Sequence, residues 1–219
     1  MKKAKSGSKQ NESVLQRFLN SDEPVFSFAR DAAWIAVVVG SVALLLFLFS
    51  GTWPAVVAVE SESMVPNMNV GDLVFVVAPD RYGELMTWNE SLSTGYGKFN
   101  EYPDNSGNPV YGDVIIYRPN GVDSVHPIIH RALTWYDDGT YAGYITKGDN
   151  NQYIDQVGGI SGVGQILPVK EEWVVGKALF SIPLIGYAPL HIFEFAVLII
   201  ALMIVHELYL SSREKKKNE

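Results

Sequence analysis

The chain has 219 residues, no cysteine and a formal net charge of −7. The lack of cysteine excludes disulfides, thiolate metal sites and a cysteine nucleophile. Basic residues form no stripe along the chain, so nucleic acid is not expected as a partner. The length allows one domain with its own core together with membrane-spanning sequence.

The first predicted element is an apolar helix near the amino terminus. Residues 32–49 carry no charge and include eleven Ile, Val, Leu or Phe residues. Eighteen helical residues span about 27 Å, close to the ~30 Å hydrocarbon thickness of a bilayer. We therefore predict a transmembrane helix over residues 32–51. A cleavable secretory signal is the alternative, but the 31 residues before this run are more than a signal usually carries there.

A mainly β domain is predicted between this helix and the carboxy-terminal part. Short segments rich in β-branched and aromatic residues are separated there by Gly, Asn, Asp and Pro, without a long 3.6-residue period. These segments are residues 70–77, 113–117, 128–135, 141–146 and 173–180. We expect them to form an antiparallel sheet within a domain over residues 52–190. The connection over residues 79–111 is long and polar, and it is either functional or mobile.

A second transmembrane helix is predicted over residues 191–210, with a buried core helix as the alternative. Four lysines lie among residues 2–9, and four basic residues lie among residues 213–217. Residues 32–190 instead contain seven basic and sixteen acidic side chains. The positive-inside rule then predicts a multi-pass protein of the cell membrane with an extracytoplasmic domain. Its cytoplasmic parts would be an amino-terminal segment, residues 1–31, and a basic tail, residues 211–219.

Four short motifs carry the side chains that are expected to do chemistry. A serine hydroxyl is a weak nucleophile until a neighbouring base takes its proton. Histidine ionises near pH 6.5 and can be that base, whereas lysine ionises near 10.4 and needs a pKa lowered by several units. Taken singly, such residues are more often solvated, structural or turn-forming than catalytic. The motifs are Ser61-Glu62-Ser63-Met64-Val65-Pro66, Gly112-Asp113-Val114, Ile128-Ile129-His130-Arg131 and Lys147-Gly148-Asp149-Asn150-Asn151, the last followed by Asp155.

In this order, and behind an apolar helix, the motifs resemble those of the type I signal peptidases. The resemblance is to the archaeal and endoplasmic-reticulum branch, which has a Ser-His-Asp site, and it covers roughly residues 35–187. It implies that Ser63 is the nucleophile and that Ser61 contributes to the oxyanion hole. It also implies that His130 is the general base, where bacterial members have lysine. The resemblance favours Asp155 as the third catalytic residue, with Asp149 as the alternative.

The resemblance further implies an activity and its partners. The protein would be a membrane-bound serine endopeptidase that cleaves signal peptides from secreted preproteins after a small residue. Its partners would be preprotein signal peptides, the lipid bilayer and other secretion components. No metal or organic cofactor is implied. His126 lies four residues before His130, but Pro127 separates them and no third ligand motif follows.

Three other interpretations fit parts of the sequence. A catalytically inactive membrane-anchored scaffold of the same fold is opposed by the presence of Ser63, His130 and both aspartates. An autoprotease of the same fold is opposed by the two apolar segments and by the lack of a DNA-binding segment. Lys147 is the alternative base and would form a Ser-Lys dyad with Ser63.

Overall fold

The computed structural model of the chain describes residues 24–94, 102–103 and 109–217. The chain divides into two compact units, residues 1–48 and residues 49–219. Most of the predicted amino-terminal segment, the last two residues of the predicted tail, and residues 95–101 and 104–108 of the long connection lie outside the described residues.

The first described element is helix α1, Pro24–Ser50, which begins eight residues before the predicted start at residue 32. Among the described residues, Val25–Ser50 is the one helix that is long and apolar enough to cross a membrane. Its most apolar window has a mean hydropathy of 2.6 and is not buried inside the protein. The helix ends where Gly51 adopts a φ of 73°, a left-handed conformation that ends many helices.

Ten strands and a short helix, α2, follow. Their bounds are β1 (Val56–Ala58), β2 (Leu73–Val77), α2 (Trp88–Ser91), β3 (Tyr102–Pro103), β4 (Pro109–Val110), β5 (Val114–Tyr117), β6 (Ile128–Asp137), β7 (Ala142–Lys147), β8 (Gly159–Ile160), β9 (Gly164–Gln165) and β10 (Val174–Ile182). Six of the strands form an antiparallel sheet in the order β1-β2-β10-β5-β6-β7. The predicted mainly antiparallel β fold is therefore confirmed, and each predicted strand segment overlaps a strand of this sheet.

Strand β5 lies at the centre of the domain, between β10 and β6, and is buried on both faces. Val114 and Ile116 pack into one apolar cluster, which includes Met64. Ile115 and Tyr117 pack into a second cluster on the other face. Because both faces of β5 are covered, its sequence is a continuous apolar run and does not alternate between apolar and polar residues.

Asp113 and Lys177 fix the start and end of the long connection. The Asp113 N–H donates to the Met86 carbonyl at 2.7 Å, and Asp113 Oδ2 accepts from the Met86 N–H at 3.0 Å. The buried Lys177 Nζ lies 3.7 Å from Asp113 Oδ2 and donates to the Gly83 carbonyl. Met86 and Asp113, which lie near the two ends of the long connection, are therefore held side by side.

The carboxy-terminal part consists of α3 (Tyr187–Leu190) and a long helix, α4 (Ile192–Lys217). The apolar part of α4, Ile192–His206, is shorter than a typical membrane span. Its side chains are exposed, which argues against the alternative of a buried core helix. The predicted helix is therefore present, but the described residues give it only a short apolar segment.

Candidate active site

Ser63 lies in a short 3-10 helix, Glu62–Met64, that follows β1. The Met64 side chain is fully buried in the core and fixes this turn, which leaves Ser63 half-buried and Ser61 exposed. Ser61 Oγ and Ser63 Oγ are 3.1 Å apart, within hydrogen-bonding distance. The two serines of the Ser-x-Ser-Met motif therefore lie side by side.

His130 and Asp155 form a buried pair beside this turn. His130 lies on β6, and its Nδ1 is 2.7 Å from Asp155 Oδ2. Asp155 begins a 3-10 helix, Asp155–Val157, that follows β7. The side chains of His130 and Asp155 are only 9% and 7% exposed. Little water therefore competes for the bond between them.

The hydrogen bonds around Asp155 indicate the tautomer of His130. Asp155 Oδ2 accepts from Tyr117 Oη at 2.9 Å and from Thr146 Oγ1 at 2.6 Å, in addition to its bond with His130. An oxygen that already accepts from two hydroxyl groups acts as an acceptor toward His130 as well, so we assign the proton between them to His130 Nδ1. His130 Nδ1 then carries a proton, and the neutral ring presents an unprotonated Nε2 that can accept one.

Gly148 lies between the 3-10 helix that carries Ser63 and the ring of His130. A Cβ atom on Gly148 would lie 2.6 Å from the Ser63 carbonyl oxygen and 2.8 Å from His130 Nε2. Only glycine leaves space there. The neighbouring Asn150 N–H donates to the Ser63 carbonyl at 2.8 Å, and its side chain donates to the Glu62 carbonyl at 3.1 Å. The Gly-Asp-Asn-Asn turn is thereby fastened to the turn that carries Ser63.

Within the described residues, the Ser63 hydroxyl is hydrogen-bonded to Ser61 and not to His130. Catalytic hydrogen bonds are often long before the substrate binds and tighten in the complex. The shared contact of Ser63 and His130 with Gly148 places both residues at one site.

Asp149, the alternative third residue, has a different partner. Arg131 donates to it through two parallel bonds, from Nε to Oδ1 at 2.8 Å and from Nη2 to Oδ2 at 2.7 Å. Asn67 Nδ2 donates to the same Oδ2 at 2.7 Å. Arg131 also donates to the Gly112 carbonyl at 2.7 Å. Because side chains alternate along β6, this ion pair lies on the face opposite to His130.

Lys147 and His126 lie apart from the Ser63–His130–Asp155 group. Lys147 is the register partner of Arg131 in β7, so its side chain belongs to the face opposite to His130. His126 Nδ1 is 2.8 Å from Glu60 Oε2 at the exposed rim of the cleft. Among the described residues, no group of three or more His, Asp or Glu side chains could hold a metal ion.

A cleft of about 1060 Å³ opens over the Ser63–His130 region. This volume is large enough for a short peptide segment, and the walls of the cleft combine the polar groups described above with aliphatic side chains. The polar lining includes Ser61, Ser63, His130 and Asp155, and the aliphatic lining includes Val57, Val59, Ile128 and Ile129. Strand β1, which forms one wall, is the terminal strand of the sheet.

Sequence reasoning missed Tyr117 and Thr146. Tyr117 shares a strand face with Ile115, the register partner of His130, and Thr146 is the register partner of Ala132. Alternation along β5 and β7 would therefore have placed both residues on the His130 face. That deduction needs the order of the strands, which the sequence does not provide.

Comparisons with known proteins support the resemblance. No protein-family model matches the chain. The signal peptidase complex catalytic subunit sec11 of Pyrenophora tritici-repentis is 29% identical over 140 residues, which is 64% of this chain and 64% of that protein. The signal peptidase complex catalytic subunit SEC11C of Homo sapiens is 28% identical over 155 residues, which is 69% of this chain and 65% of that protein.

The chain is similar to signal peptidase complex catalytic subunits. The predicted resemblance, to the archaeal and endoplasmic-reticulum branch of the type I signal peptidases, is thus confirmed. The fungal subunit SEC11 of Colletotrichum graminicola is a further relative, 26% identical over 140 residues. The chain spans slightly less than two thirds of the length of these relatives, 64% of the fungal subunits and 65% of the human one.

Proposed function

We propose that this protein is a serine endopeptidase that removes signal peptides from secreted preproteins by cleaving after small residues. The observation that carries the proposal is the buried His130–Asp155 pair beside Ser63, in a cleft that can hold a short peptide segment. The similarity to catalytic subunits of the signal peptidase complex supports it. An inactive scaffold would not need to keep this set of side chains together.

In this mechanism Ser63 Oγ attacks the carbonyl carbon of the scissile bond while His130 Nε2 takes its proton. The Ser61 hydroxyl and backbone N–H groups donate to the oxyanion that forms. The imidazolium, steadied by Asp155, then returns the proton to the leaving amine, and the peptide carbonyl remains attached to Ser63 as an ester. Water, activated by His130 in the same way, hydrolyses the ester and restores the serine.

We further propose a membrane topology in which residues 32–51 and 191–210 span the bilayer. Residues 1–31 and 211–219 are then cytoplasmic, and residues 52–190 form the extracytoplasmic catalytic domain of a multi-pass protein of the cell membrane. The apolar helix α1 and the basic residues near both termini support this arrangement. Because α4 has a short apolar segment, the second span is the part to test first.

Tags at the two termini test the topology. Protease added to intact cells or spheroplasts should leave both tags undigested and should cut within residues 52–190. Digestion of a carboxy-terminal tag from outside would show that α4 does not cross the membrane. The relatives are named as subunits of a complex. We therefore propose that other secretion components act with this chain, and mild-detergent purification with a tag would recover them.

Cleavage of a labelled preprotein by the purified full chain in detergent tests the activity. We expect wild-type protein to release one mature product, whose amino terminus identifies the scissile bond by mass spectrometry. Ser63→Ala and His130→Ala should abolish release, while Ser93→Ala, at an exposed serine outside the cleft, should not. A Ser63→Ala protein that retains more than a few per cent of the rate would remove Ser63 from the mechanism. Cleavage of the chain itself with no cleavage of the preprotein would favour the autoprotease.

A further inference from the structure

Two buried hydroxyls hold the carboxylate that contacts His130. Tyr117 Oη donates to Asp155 Oδ2 from β5, and Thr146 Oγ1 donates to the same atom from β7. We propose that Tyr117 and Thr146 are positioning residues for the peptidase reaction: they orient the Asp155 carboxylate and share the negative charge that acts on His130. This proposal rests on the proposed function.

The Thr146 hydroxyl has one proton and two possible acceptors, Tyr117 Oη at 3.3 Å and Asp155 Oδ2 at 2.6 Å, and we assign the proton to the shorter bond. Gln156 Nε2 lies 3.3 Å from Thr146 Oγ1 and donates to it, and the Thr146 N–H donates to Gln156 Oε1 at 3.1 Å. Gln156 therefore occupies an acceptor position of the Thr146 hydroxyl and leaves its proton for Asp155. Burial, and after it the charge of Asp155, raises the pKa of Tyr117 well above its usual range. The Tyr117 hydroxyl consequently remains a donor throughout the working pH range.

The remaining charged groups near this network are mostly paired with one another. Arg131 and Asp149 form an ion pair on the opposite face of β6, and His126 pairs with Glu60 at the rim of the cleft. Lys147 belongs to the Arg131 face. Tyr117 and Thr146 are therefore the groups that share the Asp155 oxygen with His130.

Two consequences follow for the reaction. A carboxylate held by hydroxyls from two strands cannot turn away from His130 Nδ1, so the ring keeps the orientation that the serine needs. Hydrogen bonds to a carboxylate also stabilise its charge and reduce its pull on the proton of the neighbouring ring. Removing one hydroxyl should therefore lower kcat and should move the acidic limb of the activity profile to higher pH.

Nearly isosteric substitutions test the proposal in the full chain in detergent. Tyr117→Phe and Thr146→Val each remove one donor and keep the shape of the side chain. Tyr136→Phe is the matched control, because it removes a 2.8 Å Tyr–Asp bond, to Asp138, in the β6–β7 hairpin. We expect kcat to fall roughly 3- to 30-fold in the first two variants, with KM little changed. The acidic limb should move up by several tenths of a pH unit, and the control should match wild type.

A double-mutant cycle separates positioning from a general effect on folding. If Tyr117 acts through Asp155, then Tyr117→Phe should change the residual rate of Asp155→Asn by much less than it changes the wild-type rate. Equal effects in both backgrounds would overturn the proposal. Circular dichroism and thermal unfolding establish whether each variant is folded. If Thr146→Val does not fold, the result for Tyr117→Phe alone tests the proposal.

NMR titration of the His130 ring protons gives a readout that does not depend on activity. Its signals are assigned by their loss in His130→Gln. The titration midpoint should lie at higher pH in Tyr117→Phe than in wild type. An unchanged midpoint together with an unchanged kcat in both folded variants would overturn the proposal. If the midpoint shifts in Tyr117→Phe but the wild-type chain cleaves no preprotein, the result would support the positioning network and contradict the proposed function.

Discussion

Arg131 holds Asp149 with two parallel hydrogen bonds, and both side chains are almost fully buried. Asp155 instead accepts from His130. The two aspartates that the sequence left in competition therefore have different partners on opposite faces of β6. Asp149 has the contacts of a residue that stabilises the fold, and Asp155 has those of a residue that acts on the base.

Substituting each aspartate by asparagine should separate stability from activity. Asp149→Asn leaves a buried Arg131 without its counter-charge, so the free energy of unfolding should fall by about 3–5 kcal/mol. Asp155→Asn should stay folded but should lose up to about 10⁴-fold in kcat, because the ring tautomer is no longer fixed. Urea unfolding and preprotein cleavage measure the two effects. A stable but inactive Asp149→Asn, beside an active Asp155→Asn, would reverse the assignment.

Activity should rise with pH through the range in which imidazoles ionise, near pH 6.5, because only the neutral ring can accept the Ser63 proton. His130→Ala should be inactive, and His130→Lys should be inactive too, since the site offers a carboxylate partner that favours a charged lysine. Lys147→Ala should keep most of the activity. Rates of preprotein cleavage from about pH 5 to pH 9 test this. Activity in His130→Ala together with its loss in Lys147→Ala would establish a Ser-Lys dyad.

Ser61→Ala should reduce kcat less completely than Ser63→Ala. One oxyanion donor among several contributes about 2.7–4 kcal/mol, which is roughly 10²- to 10³-fold in rate. The KM for the preprotein should change little, since the donor acts on charge that appears in the transition state. Steady-state kinetics of both variants give the comparison. Were Ser61→Ala inactive and Ser63→Ala active, the two serines would exchange roles.

Gly148→Ala should lower activity strongly, because the added methyl group meets the Ser63 backbone and the His130 ring at 2.6 and 2.8 Å. Gly158→Ala is the matched control. A Cβ there meets only the Asp155 carbonyl oxygen, at the ordinary contact distance of 3.4 Å. We expect at least a tenfold loss of kcat for the first variant and near-normal kinetics for the second. Normal kinetics in both variants would mean that the reaction tolerates a displacement of the Gly148 turn from the turn that carries Ser63.

Tyr117 should make the domain less stable at high pH. Burial raises its pKa in the folded chain, whereas in the unfolded chain it ionises near pH 10. Above about pH 10 the unfolded chain therefore binds fewer protons than the folded chain, and the free energy of unfolding falls by up to about 1.4 kcal/mol per pH unit. Tyr117→Phe should remove this slope in urea unfolding, and Tyr153→Phe, at an exposed tyrosine, should not. An identical slope in Tyr117→Phe would contradict the explanation.

The sequence predicted those features that depend on neighbouring residues. Alternation and turn residues located five strands of the main sheet. The motifs singled out Ser63, His130 and Asp155, which line one cleft, and their catalytic roles stay predictions. Strand β1 was missed because it has only three residues, too few to show an alternating pattern. The partners of Asp155 were missed for a different reason: Tyr117 and Thr146 meet it only because β5 and β7 flank β6. Strand order is a non-local property, and a single amino-acid sequence does not reveal it.

Met86 and Asp113 are adjacent, which makes the connection between them a suitable place for an insertion. Both ends are fixed by backbone hydrogen bonds and by the buried Lys177, so a longer loop adds mainly closure entropy. Each doubling of a flexible loop costs only about 0.6 kcal/mol. An affinity tag or a fluorophore-binding peptide inserted within this connection should therefore cost little stability, and it would label the protein without touching either terminus.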